Sequence, residues 1–87
     1  MDSRKTLGWN VRKLRVASLR STEQLAGEAE VDASLVARVE RGTANPTLAV
    51  LDKLAKALGV QIAGLFEKIP VGAKPPKPLV GGRRPKK

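Results

Sequence analysis

The feature that most constrains this chain is the run at residues 22–40, TEQLAGEAEVDASLVARVE, whose six apolar positions are spaced for two short helices meeting at a tight turn. Leu25, Ala26 and Ala29 share one face of the first helix, and Val36 and Val39 share one face of the second. Val31 falls in the turn, where its β-branched side chain plugs the space between them. Ala26 matters most, because a small residue lets the two helices cross closely. Ser21 opens the first helix as an N-cap, Gln24 completes a capping-box pattern, and Glu23 suits the positive end of the helix dipole. This helix ends near Ala29 or Glu30. Asp32 is the N-cap candidate for the second helix, which runs to Arg41 and is closed by Gly42.

Helical signals surround this pair. A first helix is predicted at about residues 3–19, with Leu7, Val11 and Leu14 forming an apolar stripe and Ala17 a further candidate for it. Between them Arg4, Lys5, Arg12, Lys13 and Arg15 are expected to face outward. Trp9 lies off the stripe, either half exposed or capping the core edge. Asn45-Pro46-Thr47 is a turn and a start signal for a helix at residues 47–58, with Leu48, Leu51, Leu54, Ala55 and Leu58 on one face and Gly59 as its stop. A last short helix is predicted at residues 61–68, returning Ile62, Leu65 and Phe66 to the core. No β-alternation occurs. The expected fold is all-α: a compact five-helix domain at residues 1–69, followed by a disordered basic tail.

Composition narrows the function. The 87 residues suffice for one small core, and with no cysteine there is neither disulfide nor thiolate metal site to support it. Histidine and tyrosine are also absent, which removes the commonest general base, the commonest zinc ligand and the Ser-His nucleophile pair. The eight Asp and Glu occupy mostly helix-start and surface positions, so no enzyme, metal or cofactor is expected. No apolar run approaches the ~20 residues of a membrane span, and the start Met1-Asp2-Ser3-Arg4-Lys5 is no secretory signal. A cytoplasmic protein fits these absences.

The net charge is +9, unevenly spread. Residues 1–69 carry eleven basic and eight acidic side chains, whereas residues 70–87, PVGAKPPKPLVGGRRPKK, carry six basic and none acidic. Such a Pro/Gly/Lys/Arg-rich segment buries too little surface to offset its ordering entropy, so a flexible arm is expected. Both parts favour a polyanionic partner. Charge alone leaves a merely solubilising tail as an equal alternative.

Taken together, the run from Leu7 to Phe66 resembles the Cro/CI-type (XRE-like) helix-turn-helix family. The resemblance is carried by Val11-Arg12-Lys13-Leu14-Arg15, Leu25-Ala26, Val39-Glu40-Arg41-Gly42, Asn45-Pro46-Thr47, the ending Leu54-Ala55-Lys56-Ala57-Leu58-Gly59-Val60, and Leu65-Phe66. Two positions depart from the family pattern: Glu30 stands where the turn usually has glycine, and Leu19-Arg20 where a glycine usually follows the first helix. A left-handed backbone there would cost on the order of 1 kcal/mol at a non-glycine residue.

The resemblance implies double-stranded DNA as partner, with residues 32–41 as the helix that enters the major groove. Ala33, Ser34, Ala37 and Arg38 would then face bases. Arg38 is the best candidate for gripping guanine O6 and N7 together, the alternative being a solvent-facing arginine paired with an acid. Thr22, Arg41, Thr43 and Asn45 would contact phosphates, although Asn45 serves equally well as a turn former. The resemblance gives Glu40 an internal ion pair, with Arg15 or Arg12 as partner. Lys74, Lys77, Arg83, Arg84, Lys86 and Lys87 would track phosphates or enter a minor groove if the tail engages DNA.

The resulting expectation is a sequence-specific transcriptional regulator, a repressor more than an activator. It would be a homodimer on an inverted-repeat operator and associated with the nucleoid. Val60, Ile62 and Phe66 are the expected dimer contacts. Two rivals stand beside it: an antitoxin-like protein that binds a partner protein and represses its own operon, and a helical adaptor whose ligand is protein.

Overall fold

The computed structural model describes residues 2–74. Its element order is α1 (Ser3–Ala17), α2 (Thr22–Ala29), α3 (Ala33–Arg41), α4 (Leu48–Leu58) and a 3-10 turn at Ile62–Phe66, with no strand among the described residues. Four of the five expected helices form as α-helices, and the fifth forms as a shorter 3-10 turn. The 3-10 turn spans only five residues, contains Gly64, and is closed by Gly64 N–H donating to the Gln61 carbonyl at 2.8 Å. Glycine opposes an α-helix there, and Pro70 restrains Ile69 from helical backbone.

Side-chain caps set most helix starts. The Asp2 carboxylate accepts from Arg4 N–H at 2.7 Å, and its side-chain contact with Arg4 holds the carboxyl below its ordinary range. Ser21 and Gln24 form the full capping box, and Thr47 Oγ1 accepts from Val50 N–H. Asp32 has the extended N-cap backbone, but its side chain makes no cap bond.

All four α-helices end the same way, with a six-residue closure back onto the last turn. Arg20 N–H donates to Arg15 C=O, Val31 to Ala26, Thr43 to Arg38 and Val60 to Ala55, at 3.0–3.2 Å. Each closure needs a left-handed residue, supplied by Leu19 (φ 60°), Glu30 (φ 61°), Gly42 (φ 77°) and Gly59 (φ 73°). The two family glycines missing from the sequence are thus missing at residues that keep the glycine conformation. Their closure ends α1 at Ala17 rather than near residue 19.

The core draws one or two fully buried side chains from every element: Val11, Leu25, Val36, Val39, Leu54 and Leu65. Ala26 and Ala29 are buried with them, and Val31 packs against them from the turn, as the spacing predicts. Several expectations need correction. Ala17 is exposed, beyond the part of α1 that other elements cover. Leu48 is 67% exposed, because the covered face of α4 begins only at Val50 and Leu51. Phe66 remains 39% exposed, since the 3-10 turn directs Leu65 inward in its place. Trp9 is half-buried and lines an open cleft with Thr6, Phe66 and Pro70.

One buried polar side chain has no visible signal in the sequence. Asn10, 3% exposed, brings its amide nitrogen within 2.9–3.1 Å of the Thr6, Leu65 and Glu67 carbonyls. It fastens the end of the 3-10 turn to α1 and satisfies carbonyls that a full α-helix would have used internally.

Candidate nucleic-acid interface

Helix α3 is amphipathic over its whole length. Val36 and Val39 are buried, whereas Ser34, Arg38 and Arg41 are exposed at the i, i+4, i+7 spacing that makes one face. Ala33 and Ala37 are half-buried and flank this face. Of the expected phosphate contacts, Arg41, Thr43 and Asn45 are exposed around the C-terminal end of α3, and Thr22 is half-buried in the first turn of α2. Thr43 Oγ1 donates to the Arg38 carbonyl at 3.2 Å. Among the described residues Asn45 makes no side-chain hydrogen bond, while its neighbours Thr43 and Thr47 do. Lys74 is exposed, and Lys77, Arg83, Arg84, Lys86 and Lys87 lie outside the described residues.

The back of α3 is seated with unusual closeness. At Gly8 on α1 an added Cβ would overlap the Val39 carbonyl oxygen and lie 2.7 Å from that of Glu40. Only glycine permits this approach. Glu40 is then gripped by Arg15, Nε to Oε2 at 2.6 Å and Nη2 to Oε1 at 3.0 Å, with both side chains about 10% exposed. Arg15 is therefore the partner of Glu40 and does not face outward, because a carboxylate across the helix seam compensates its burial. Its Nη1 also donates to Arg20 C=O at 2.8 Å, and Arg20 Nη1 donates to Ala57 C=O at 2.6 Å, with Glu28 held 3.0 Å from its Nε. Arg12 likewise does not face fully outward: it is half-buried, with its Nε enclosed and unpartnered. The family helix-turn-helix unit is complete in this chain, from the paired helices and Val31 turn to the seam that holds the second helix outward.

An all-helical body that presents α3 on a fixed seat defines a DNA-binding domain of the helix-turn-helix class. Likeness to known proteins assigns it further. The family described as "Helix-turn-helix domain" matches residues 6–65. Control protein C.BamHI of Bacillus amyloliquefaciens is 38% identical over 66 residues, which are 75% of this chain and 82% of that protein. The restriction-modification controller protein C.AhdI from Aeromonas hydrophila superposes with a TM-score of 0.70 at 40% identity, covering 72% of this chain and 96% of that one. The hypothetical transcription factor NHTF from Neisseria gives a TM-score of 0.73 at 38% identity, over 76% of each chain. This chain belongs to the helix-turn-helix family of transcription regulators of the Cro/CI type. Among the described residues no helix is long and apolar enough to cross a membrane.

Proposed function

We propose that this DNA-binding transcriptional regulator acts as a cytoplasmic, non-enzymatic repressor that binds an inverted-repeat operator as a homodimer. The observation that carries the reading is the exposed Ser34–Arg38–Arg41 stripe of α3, backed by a seam that Gly8 and the Arg15–Glu40 pair close. A side chain that reads bases must be exposed, and its helix must not yield when it docks. Arg38 reads guanine, Ser34 bonds a base edge or a phosphate, and Ala33 and Ala37 touch thymine methyls. Thr22, Arg41, Thr43 and Asn45 anchor the flanking phosphates.

Dimerisation uses the end of α4 and the 3-10 turn, where Phe66 is exposed and Val60 and Ile62 are only partly covered. The domain comprises residues 1–69, and the basic residues beyond it add phosphate contacts. The likeness to restriction-modification controllers supports regulatory DNA as the target. Selection from a randomised duplex library tests the reading. Wild type should enrich a two-fold symmetric site, and Arg38→Ala should lose about 1–3 kcal/mol of discrimination at one base position in each half. An adaptor whose ligand is protein would select no site and would be indifferent to Arg38→Ala. A toxin-sized companion co-purifying in stoichiometric amount would favour the antitoxin-like alternative.

A further inference from the structure

The seam between α1 and α3 carries more positive charge than its acids neutralise. Helix α1 contains no acidic residue within Ser3–Ala17, and Glu40 is the only acid within α3. Both Glu40 oxygens are taken by Arg15, and the Asp2 cap is taken by Arg4. Lys5 and Arg12 therefore have no ion-pair partner among the described residues, and neither do Arg38 and Arg41.

Lys5 and Arg12 both lie along this seam. The Lys5 side chain lies over Gly42, its Cγ 3.2 Å from where a Cβ would stand there, between exposed Arg41 and Thr43. Arg12 follows Gly8 by one helical turn and precedes Arg15 by another, so all three share the α1 face turned to α3. Its Nε is sealed from solvent without an acceptor. Its two Nη atoms make no hydrogen bond among the described residues and are not enclosed, so they are the part of the guanidinium that an anion from outside the protein can meet.

We propose that Lys5 and Arg12 form a row of DNA-phosphate contacts along α1, continuing the Arg41–Thr43 end of the recognition helix across the α1–α3 seam. The proposal rests on the DNA-binding reading and extends it to a helix outside the two-helix unit. The row makes no base contact, so it strengthens binding equally at all sequences.

The test measures binding of a mixed-sequence 30-bp duplex to the full chain by fluorescence anisotropy over a range of salt concentrations. Lys5→Met and Arg12→Met keep the apolar stems and remove the charges. Each should flatten the slope of log K against log salt by about 0.9, and the double variant by about twice that. Arg12→Lys should restore the Arg12 share, and Lys13→Gln, at an exposed position off this face, should leave the slope unchanged. Melting temperatures are recorded alongside. Variants that melt lower yet keep the wild-type slope would give both residues a purely structural role and overturn the proposal, as would an equal fall for Lys13→Gln. Wild type that binds no duplex at any salt would remove the DNA reading itself, and the row with it.

Discussion

Arg15 and Glu40 meet face to face across the α1–α3 seam, two nitrogens on two oxygens at 2.6 and 3.0 Å, with little water on either. The pair lies directly behind the exposed face of the recognition helix. Its worth depends on both members being present. Glu40→Ala should destabilise the domain by roughly 3–5 kcal/mol, because it leaves a buried guanidinium without its counter-charge. The paired replacement Arg15→Met with Glu40→Leu should recover most of that loss. Urea denaturation of Arg15→Met, Glu40→Leu and the double tests the coupling; simple additivity would mean that the pairing is incidental.

Leu19 and Glu30 hold a backbone conformation that glycine adopts without strain. Leu19→Gly and Glu30→Gly should each stabilise by about 1 kcal/mol, visible as a rise of roughly 4–8 °C in Tm. Gly59→Ala is the reverse experiment. Its surroundings are open within 4 Å, so any loss reports the backbone alone.

Two other glycines should respond in opposite directions. Gly8→Ala pushes a methyl group into the Val39 and Glu40 carbonyls and should cost about 1–3 kcal/mol. Operator affinity should fall as well, since α3 must move. Gly27 has nothing within 4 Å of its added Cβ and lies inside α2, so Gly27→Ala should stabilise by about 1 kcal/mol. Thermal melts of both variants decide the matter.

The tail prediction is electrostatic. Deleting residues 70–87 removes six positive charges. The salt dependence of DNA binding should then flatten by about 0.9 in slope for each phosphate that the tail had neutralised. An unaltered slope would identify the segment as solubilising only.

Phe66 is the test of self-association. Phe66→Asp should weaken a dimer by more than roughly tenfold in sedimentation equilibrium, since about 1.4 kcal/mol suffices for that factor. The fold should survive, because Leu65 and not Phe66 fills the core. A monomeric wild type would sink the homodimer.

Much of this architecture is legible in the sequence because it rests on local rules. The Ser21–Gln24 box, the Gly42 and Gly59 stops and the spacing from Leu25 to Val39 each announce themselves within a few residues. What escapes such a reading depends on partners distant in the chain. Asn10 looks like any surface polar residue until the Leu65 and Glu67 carbonyls arrive beside it. Gly8 reads as a weak point in a helix until α3 is laid across it. Arg12 and Arg15 are equivalent as basic residues of one helix, and only the crossing of α1 with α3 gives Glu40 to one of them. The stop after α1 has no glycine to announce it: Leu19 holds the left-handed conformation that closes the helix at Ala17, short of where the sequence places its end.

The link from Glu40 through Arg15 and Arg20 to Ala57 joins the reading helix to the last turn of α4, beside the surface proposed to meet a second copy. In a two-fold pair, two such struts in series would make the molecule a stiff caliper, its jaws set at one opening. One base pair inserted between half-sites turns one half by about a tenth of a revolution relative to the other. Stiff jaws have little means to follow that turn, so operators with altered half-site spacing should be rejected even when every contacted base is correct.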